Sequence, residues 1–237
     1  MRPLWYNFPK DEGTLNITDS FMLGDSLMIV PKLKSATYDL YDRIKSQGRH
    51  YNLTYYLPEG GAPWYKYASD EVQTGSWQMA GIRDMVVFVR AGSIISVKLH
   101  NRKLSLTRAQ TMPMRLDIYL DRSQTAQGHL FFDDGVSFKY RDSLESLSLS
   151  LTFSNKTLTA TPSLPYSFVE DAYYMFITSI NLYGLTDCPS HVLVEWTELR
   201  PVVCQGSRLE ISNIKVRLDE SGGSTRRQRT LIQLIFQ

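Results

Sequence analysis

Two adjacent carboxylates, Asp133 and Asp134, stand with Gly135 between Leu130-Phe131-Phe132 and Val136-Ser137-Phe138. Carboxyl pairs can act as nucleophile and acid on a glycosidic bond when they flank it about 5 Å apart. Neighbours in sequence rarely achieve this, because successive side chains of a strand point to opposite faces. An Asp-Gly step between apolar runs is better explained as a hairpin turn, in which Gly takes positive φ and Asp tolerates it. Arg90-Ala91-Gly92-Ser93, between Val86–Val89 and Ile94-Ile95, likewise reads as a turn or bulge, with Arg90 free to seek a carboxylate. His50, His100, His129 and His191 are dispersed, without His-x-x-x-His or Cys-x-x-Cys spacing, so no metal is expected. Phosphate-binding glycine loops, dinucleotide fingerprints and a G-x-S-x-G elbow are missing too, so no cofactor is expected. Trp5, Trp64, Trp77 and Trp196 could stack on sugars, but aromatic side chains more often serve core or interface.

The elements around these residues are strands. Leu116, Ile118 and Leu120 alternate with Arg115, Asp117 and Tyr119, and Leu147, Leu149, Leu151 and Phe153 alternate with Ser146, Ser148, Ser150 and Thr152. A period of two sends one set to a core and the other toward solvent. Further strands are expected at 27–31, 51–57, 85–89, 94–99, 130–132, 173–183, 192–196, 214–218 and 231–236. Many short strands parted by turn residues indicate antiparallel sandwiches. A length of 237 residues, 43% hydrophobic and 12% aromatic, suffices for one large core or two smaller ones. The polar stretch 101–113 places a boundary near residue 110. The net charge of +2, from 26 basic and 24 acidic side chains, does not indicate a nucleic-acid partner. Arg226, Arg227 and Arg229 after Ser221-Gly222-Gly223-Ser224 read as a solvated loop. No apolar run approaches the ~18 residues of a membrane span.

Met1-Arg2-Pro3-Leu4-Trp5-Tyr6-Asn7-Phe8-Pro9 and Phe21-Met22-Leu23-Gly24-Asp25-Ser26-Leu27 resemble segments of the α-glucosidases of glycoside hydrolase family 31. Three more blocks follow in the family's order: Tyr56–Gly61 with Trp64–Tyr67, Val87–Ile95, and Gly128–Tyr140. Departures are Val86 and Ser96 at usual prolines, Lys66 at a usual Asp, and an apparent insertion from Tyr38 to Arg49. The resemblance singles out Arg2, Pro3, Arg90, Gly92, Asp133, Asp134 and Gly135 as structural motif residues.

The resemblance implies an all-β fold: two antiparallel β-sandwich domains, preceded by the last strand of a truncated (β/α)8 barrel. Residues 1–20 would end the barrel, 21–110 form the proximal sandwich and 111–237 the distal one. The family's catalytic aspartates precede the first motif, so no catalytic residue is expected here. The parent enzyme would hydrolyse terminal α-glucosidic bonds with retention, and this chain alone could not. Its partners would be the catalytic barrel of the parent chain, carbohydrate through the parent enzyme and, in the family's endoplasmic-reticulum branch, a noncatalytic β-subunit. Arg90 would reach a barrel carboxylate. No signal peptide opens the chain, whereas the family implies a secretory-pathway lumen. Asn16-Ile17-Thr18, Asn52-Leu53-Thr54 and Asn155-Lys156-Thr157 are glycosylation sequons that fit it. Cys188 and Cys204 could form a disulfide there or remain two buried thiols. The alternative is a noncatalytic sandwich module that binds carbohydrate or protein.

Overall fold

The computed structural model describes residues 1–31, 52–59, 63–75, 77–81, 86–99, 112–143, 145–163, 176–195, 197–199, 204–218 and 229–235. The segment 38–49, the stretch around residue 110, Trp196, His50, His100 and the Arg226-Arg227 cluster lie outside the described residues. Strands dominate, and the chain divides into two compact units, Met1–Ala91 and Gly92–Gln237.

In the first unit, β1 (Arg2–Pro3), β2 (Phe21–Leu23), β3 (Leu27–Ile29), β5 (Trp64–Lys66), β6 (Val72–Gln73) and β8 (Val87–Arg90) form an antiparallel sheet of order β1-β2-β3-β8-β5-β6. β4 (Asn52–Tyr56) and β7 (Trp77–Gly81) form a separate two-stranded ribbon. The segment 1–9 is not one long strand. Only Arg2 and Pro3 pair with β2, and Leu4–Asn7 then make a single helical turn, α1. Pro3 can precede a helical turn because the N–H it lacks would have no partner there. Leu4 and Phe8, four residues apart, fall on one face and are both buried, while Trp5 and Tyr6 face outward. The core they enter holds Met22, Met28, Tyr55, Leu57, Trp64 and Phe88.

The second unit contains β9 (Ser93–Lys98), β10 (Met114–Tyr119), β11 (Ala126–Phe132), the short helix α2 (Lys139–Asp142), β12 (Leu147–Ser154), β13 (Thr157–Ser163) and β14 (Phe176–Tyr183). It continues with β15 (His191–Val194), β16 (Thr197–Leu199), β17 (Cys204–Gln205), β18 (Arg208–Ile211), β19 (Val216–Arg217) and β20 (Arg229–Ile235). One hydrogen-bonded path, β16-β15-β20-β13-β12-β11-β9-β10-β14-β18-β17, with β19 on β14, encloses a single core. β9, expected in the first sandwich, belongs here because all six of its residues pair with β10.

The alternation along β12 is realised: Leu147, Leu149, Leu151 and Phe153 are buried and the intervening residues half-buried. Each such side chain contributes roughly 1.5–3 kcal/mol by leaving water. Pairing is not uniformly antiparallel. β10 and β14 run parallel, with Asp117 opposite Asn181 and Tyr119 opposite Tyr183. Parallel neighbours require a long crossover, and many intervening residues separate these two.

Candidate functional site

In the first unit, α1 and the turn after it organise a cleft. Asp11 caps the 3-10 turn Glu12–Thr14, its Oδ1 accepting from the Gly13 amide at 3.1 Å and the Tyr56 hydroxyl at 2.7 Å. Its Oδ2 accepts from the Glu59 amide at 2.8 Å. Gly13 is required by close approach, since a Cβ there would lie 2.4 Å from the Tyr56 hydroxyl oxygen. Glu59 has φ 58°, and both its carboxylate oxygens lie 2.8 Å from Arg90 Nη2. The Arg90 guanidinium also sits 5.2 Å from the Phe8 ring centroid, and Phe8 meets Trp64 edge-on at 6.0 Å. Arg90 was expected to seek a barrel carboxylate; within this chain it is paired with Glu59, which the motif Tyr56–Gly61 brings to the end of β4. The cleft, about 600 Å³, is lined by Asn7, Phe8, Lys10, Asp11, Glu12 and Glu59, among others. Beside it, Asp25 Oδ1 accepts from Arg2 Nη1 at 2.9 Å and Asn7 Nδ2 at 3.0 Å.

These carboxylates bind amides, a hydroxyl and guanidinium groups, so the arrangement braces backbone. The same segment also exposes large apolar side chains, Met1, Trp5, Tyr6, Leu15 and Leu23, Tyr6 to 59% and Leu15 to 60%, among the exposed charges of Arg2, Lys10, Glu12, Asp19 and Asp25. Trp64 is core, whereas Trp5 and Trp77 are exposed.

In the second unit, Asp133-Asp134-Gly135 is not a tight hairpin. Val136–Phe138 forms no strand, and the strand that returns against β11 is β12. The reason is local capping. Asp133 accepts from the Gly135 amide, and Asp134 accepts from the amides of Val136 and Ser137 and from the Ser137 hydroxyl at 2.5 Å. Ser137 Oγ in turn accepts from the Lys139 amide, leading into α2. The Ser137 hydroxyl bond, then the two amides, hold the Asp134 carboxyl down at about 2. Gly135 does take positive φ, 65°. The loop presents Val136, Phe138 and Tyr140 beside Phe131, with Phe131 edge-on to Tyr140 at 6.3 Å. Gly92, φ 81°, immediately precedes β9, its amide donating to the Tyr119 carbonyl at 2.8 Å.

A buried polar row escaped sequence reasoning. Asp117, expected toward solvent, is 0% exposed. It accepts from Arg115 Nε at 2.8 Å, Arg115 Nη2 at 2.9 Å and Asn181 Nδ2 at 2.8 Å. Tyr119, assigned to the same outward face, is also fully buried and stacks on Tyr183 with centroids 4.6 Å apart. Burial, and then the charge of Asp117, raise the Tyr183 phenol above its usual range. Period-two alternation correctly opposes Asp117 to Leu116 and Ile118, but cannot reveal that both faces of β10 are covered. The available signal was an Arg-x-Asp pair on one face.

Cys188 and Cys204 are joined as a disulfide, with Cα atoms 5.9 Å apart. Asn16 and Asn155 are exposed, and Asn52 begins β4. Among the described residues, no group of three or more His, Cys, Asp or Glu is placed to hold a metal.

The architecture is all-β, in two units built from sheets, and comparison with known proteins adds the family. Residues 1–95 match the glycosyl hydrolase family 31 C-terminal domain. The chain is 32% identical to neutral alpha-glucosidase AB of Homo sapiens over 173 residues, 72% of this chain and 17% of that protein. It is 29% identical to lysosomal alpha-glucosidase of Rattus norvegicus over 201 residues, 81% of this chain and 20% of the relative. In fold it resembles the crystal structure of an ER glucosidase II heterodimeric complex of catalytic subunit and the binding domain of the regulatory subunit, with TM-score 0.74 and 18% identity over 99% of this chain and 25% of that one. The chain therefore belongs to glycosyl hydrolase family 31 and carries its C-terminal domain. It spans a fifth or less of the length of these curated relatives.

Proposed function

We propose that this chain is the C-terminal sandwich portion of a retaining α-glucosidase, bracing a catalytic (β/α)8 barrel and having no hydrolytic activity alone. The observation that carries the reading is the number of large apolar side chains that the first unit leaves exposed. Met1, Trp5, Tyr6, Leu15 and Leu23 stand exposed inside the family match, and large apolar side chains left exposed in such number suit a surface that a neighbouring domain covers. The Asp11, Glu59 and Arg90 contacts fix the backbone of the same unit. The carboxylates most suggestive of chemistry, Asp133 and Asp134, are engaged by their own loop.

The 32% identity to neutral alpha-glucosidase AB favours terminal α-linked glucose on oligosaccharides or glycans as the parent's substrate. The heterodimeric glucosidase II structure supports a noncatalytic regulatory subunit as a further partner. Both that protein and the lysosomal relative support a secretory-pathway lumen as the location. The purified chain is tested with an aryl α-glucoside and with maltose. No turnover is expected, and hydrolysis abolished by a mutation within these 237 residues would overturn the reading.

The alternative, a sugar-binding module without catalysis, draws on the exposed rings of Phe131, Phe138 and Tyr140. Glucan binding lost in Phe138→Ala, with the fold retained, would favour it.

A further inference from the structure

We propose that the outer face of β11, β12 and β13 is a saccharide-binding surface, with a ring-stacking corner built by Phe131 and Tyr140, and that its ligand is an uncharged α-linked gluco-oligosaccharide. The linkage assigned to the sugar rests on the α-glucosidase reading above; the surface itself does not.

Alternation sends Leu130, Phe132 and the apolar residues of β12 into the core, and strand pairing aligns what remains outside. Phe131 lies opposite Ser148 and Ser148 opposite Ser163; one row further, His129 lies opposite Ser150 and Ser150 opposite Thr161. Phe131 is 57% exposed. His129, Thr161 and Ser163 are exposed too, and the two serines of β12 are half-buried, with Ser150 Oγ 3.3 Å from His129 Nδ1. No residue of the three strands is Asp, Glu, Lys or Arg, although a solvated surface usually carries about 25–35% of these. Strand propensity accounts for threonines on such a face but not for the serines. All three strands are interior to the hydrogen-bonded path, so it is their face and not an edge that they offer.

Nucleic acid is held by basic side chains, and a protein partner is steered and registered by charge; these strands supply neither. A neutral polyol fits the face, because hydroxyl side chains both donate and accept. An aromatic ring takes the apolar C–H side of a pyranose while a few polar groups fix its orientation. Phe131 and Tyr140 meet at 89° with centroids 6.3 Å apart, a corner in which one ring can stack on a sugar and the other wall it. The charges that α2 brings to this end are paired, Lys139 with Glu145 at 3.4 Å and Arg141 with Asp142 at 3.2 Å, so the corner also suits an uncharged ligand.

The test titrates maltoheptaose into the 237-residue chain, with affinity read by calorimetry and location by backbone-amide NMR. Saturable binding is expected, with shifts concentrated in β11–β13. Phe131→Ala should weaken it about tenfold, Phe131→Trp should retain it, and Ser150→Lys should abolish it by placing a long charged side chain on the face. Trp77→Ala removes an exposed ring of the first unit and should change nothing. Each variant must keep the far-ultraviolet spectrum of the parent chain. Absence of saturable binding overturns the proposal, as does binding that Trp77→Ala weakens as much as Phe131→Ala, or that Ser150→Lys leaves untouched. A chain that binds no maltoheptaose but self-associates until Ser150→Lys is introduced overturns it as well and assigns the face to a second copy. Binding of cellohexaose but not of maltoheptaose keeps the surface and contradicts the linkage. The bracing role has its own readout, α-glucosidase activity, so its failure is told apart from failure of the sugar surface.

Discussion

Replacing Asp117 tests whether the buried polar row stabilises the second unit. The carboxylate is 0% exposed and receives three hydrogen bonds, two from Arg115 and one from Asn181. Asp117→Ala leaves a guanidinium beside an apolar cavity. Breaking one partner of a buried pair costs roughly 3–5 kcal/mol. Arg115 retains 26% of its side-chain exposure, which places the loss toward the lower end, about 3 kcal/mol. Asn181 Nδ2 also loses its acceptor, while Asn181 Oδ1 already has no hydrogen-bond partner among the described residues, adding about 1 kcal/mol. Asp117→Asn keeps the shape and one acceptor oxygen, and should cost about half as much. The double variant Arg115→Met, Asp117→Leu removes both charges together and should recover most of the loss, since apolar replacements of buried pairs are often neutral. Urea unfolding followed by far-ultraviolet circular dichroism measures all three, with equal m-values required for comparison. A loss under about 0.5 kcal/mol for Asp117→Ala, the size of an inconsequential surface change, would refute the reasoning.

Other contacts yield further predictions. Gly128→Ala would place a Cβ 2.6 Å from the Ile94 carbonyl oxygen and 2.7 Å from Ile94 Cβ, so strand β11 must shift and about 1–3 kcal/mol is lost; an unchanged melting temperature would contradict this. Opening the Cys188–Cys204 link, whose residues are 16 apart, should cost about 3 kcal/mol by loop entropy, read as the difference in urea stability between the native protein and Cys188→Ser/Cys204→Ser. The Asp134 carboxyl is held at about 2, below its usual 3.8, so its contribution to folding is complete above the unfolded value and fades as pH falls toward 2. Carboxyl carbon NMR should give a midpoint near 2, and Ser137→Ala should raise it; a wild-type midpoint near 3.8 would contradict the capping geometry. The Arg90–Glu59 pair is more than a third exposed on both sides, so Glu59→Gln should cost no more than about 1 kcal/mol by the same urea measurement.

The strand content was readable wherever alternation ran long, as in β12, whose four apolar side chains all enter the core. Strands of two or three residues, such as β6 and β17, are too short to display a period. The parallel alignment of β10 with β14 depends on residues far apart in sequence, and neither strand carries a local sign of its neighbour. Val136-Ser137-Phe138 resembled a strand because its outer residues are apolar, yet the side chain of Asp134 competes for the backbone amides and turns the chain into α2. Motif blocks identified the family, but not the chemistry within the blocks. The pairing of Glu59 with Arg90 joins two of them through a backbone bend at positive φ. Asp11, which ties that bend to Tyr56, lies outside all five.

The most direct test of the bracing role is a domain exchange in neutral alpha-glucosidase AB, the relative that shares 32% identity with this chain. The matching C-terminal segment is replaced by this chain, and α-glucosidase activity is measured beside the enzyme truncated before that segment. The account predicts activity in the exchange, none in the truncation, and loss on adding Trp5→Asp and Tyr6→Asp. A soluble, folded exchange protein with no more activity than the truncation, or one indifferent to the two aspartates, would contradict it.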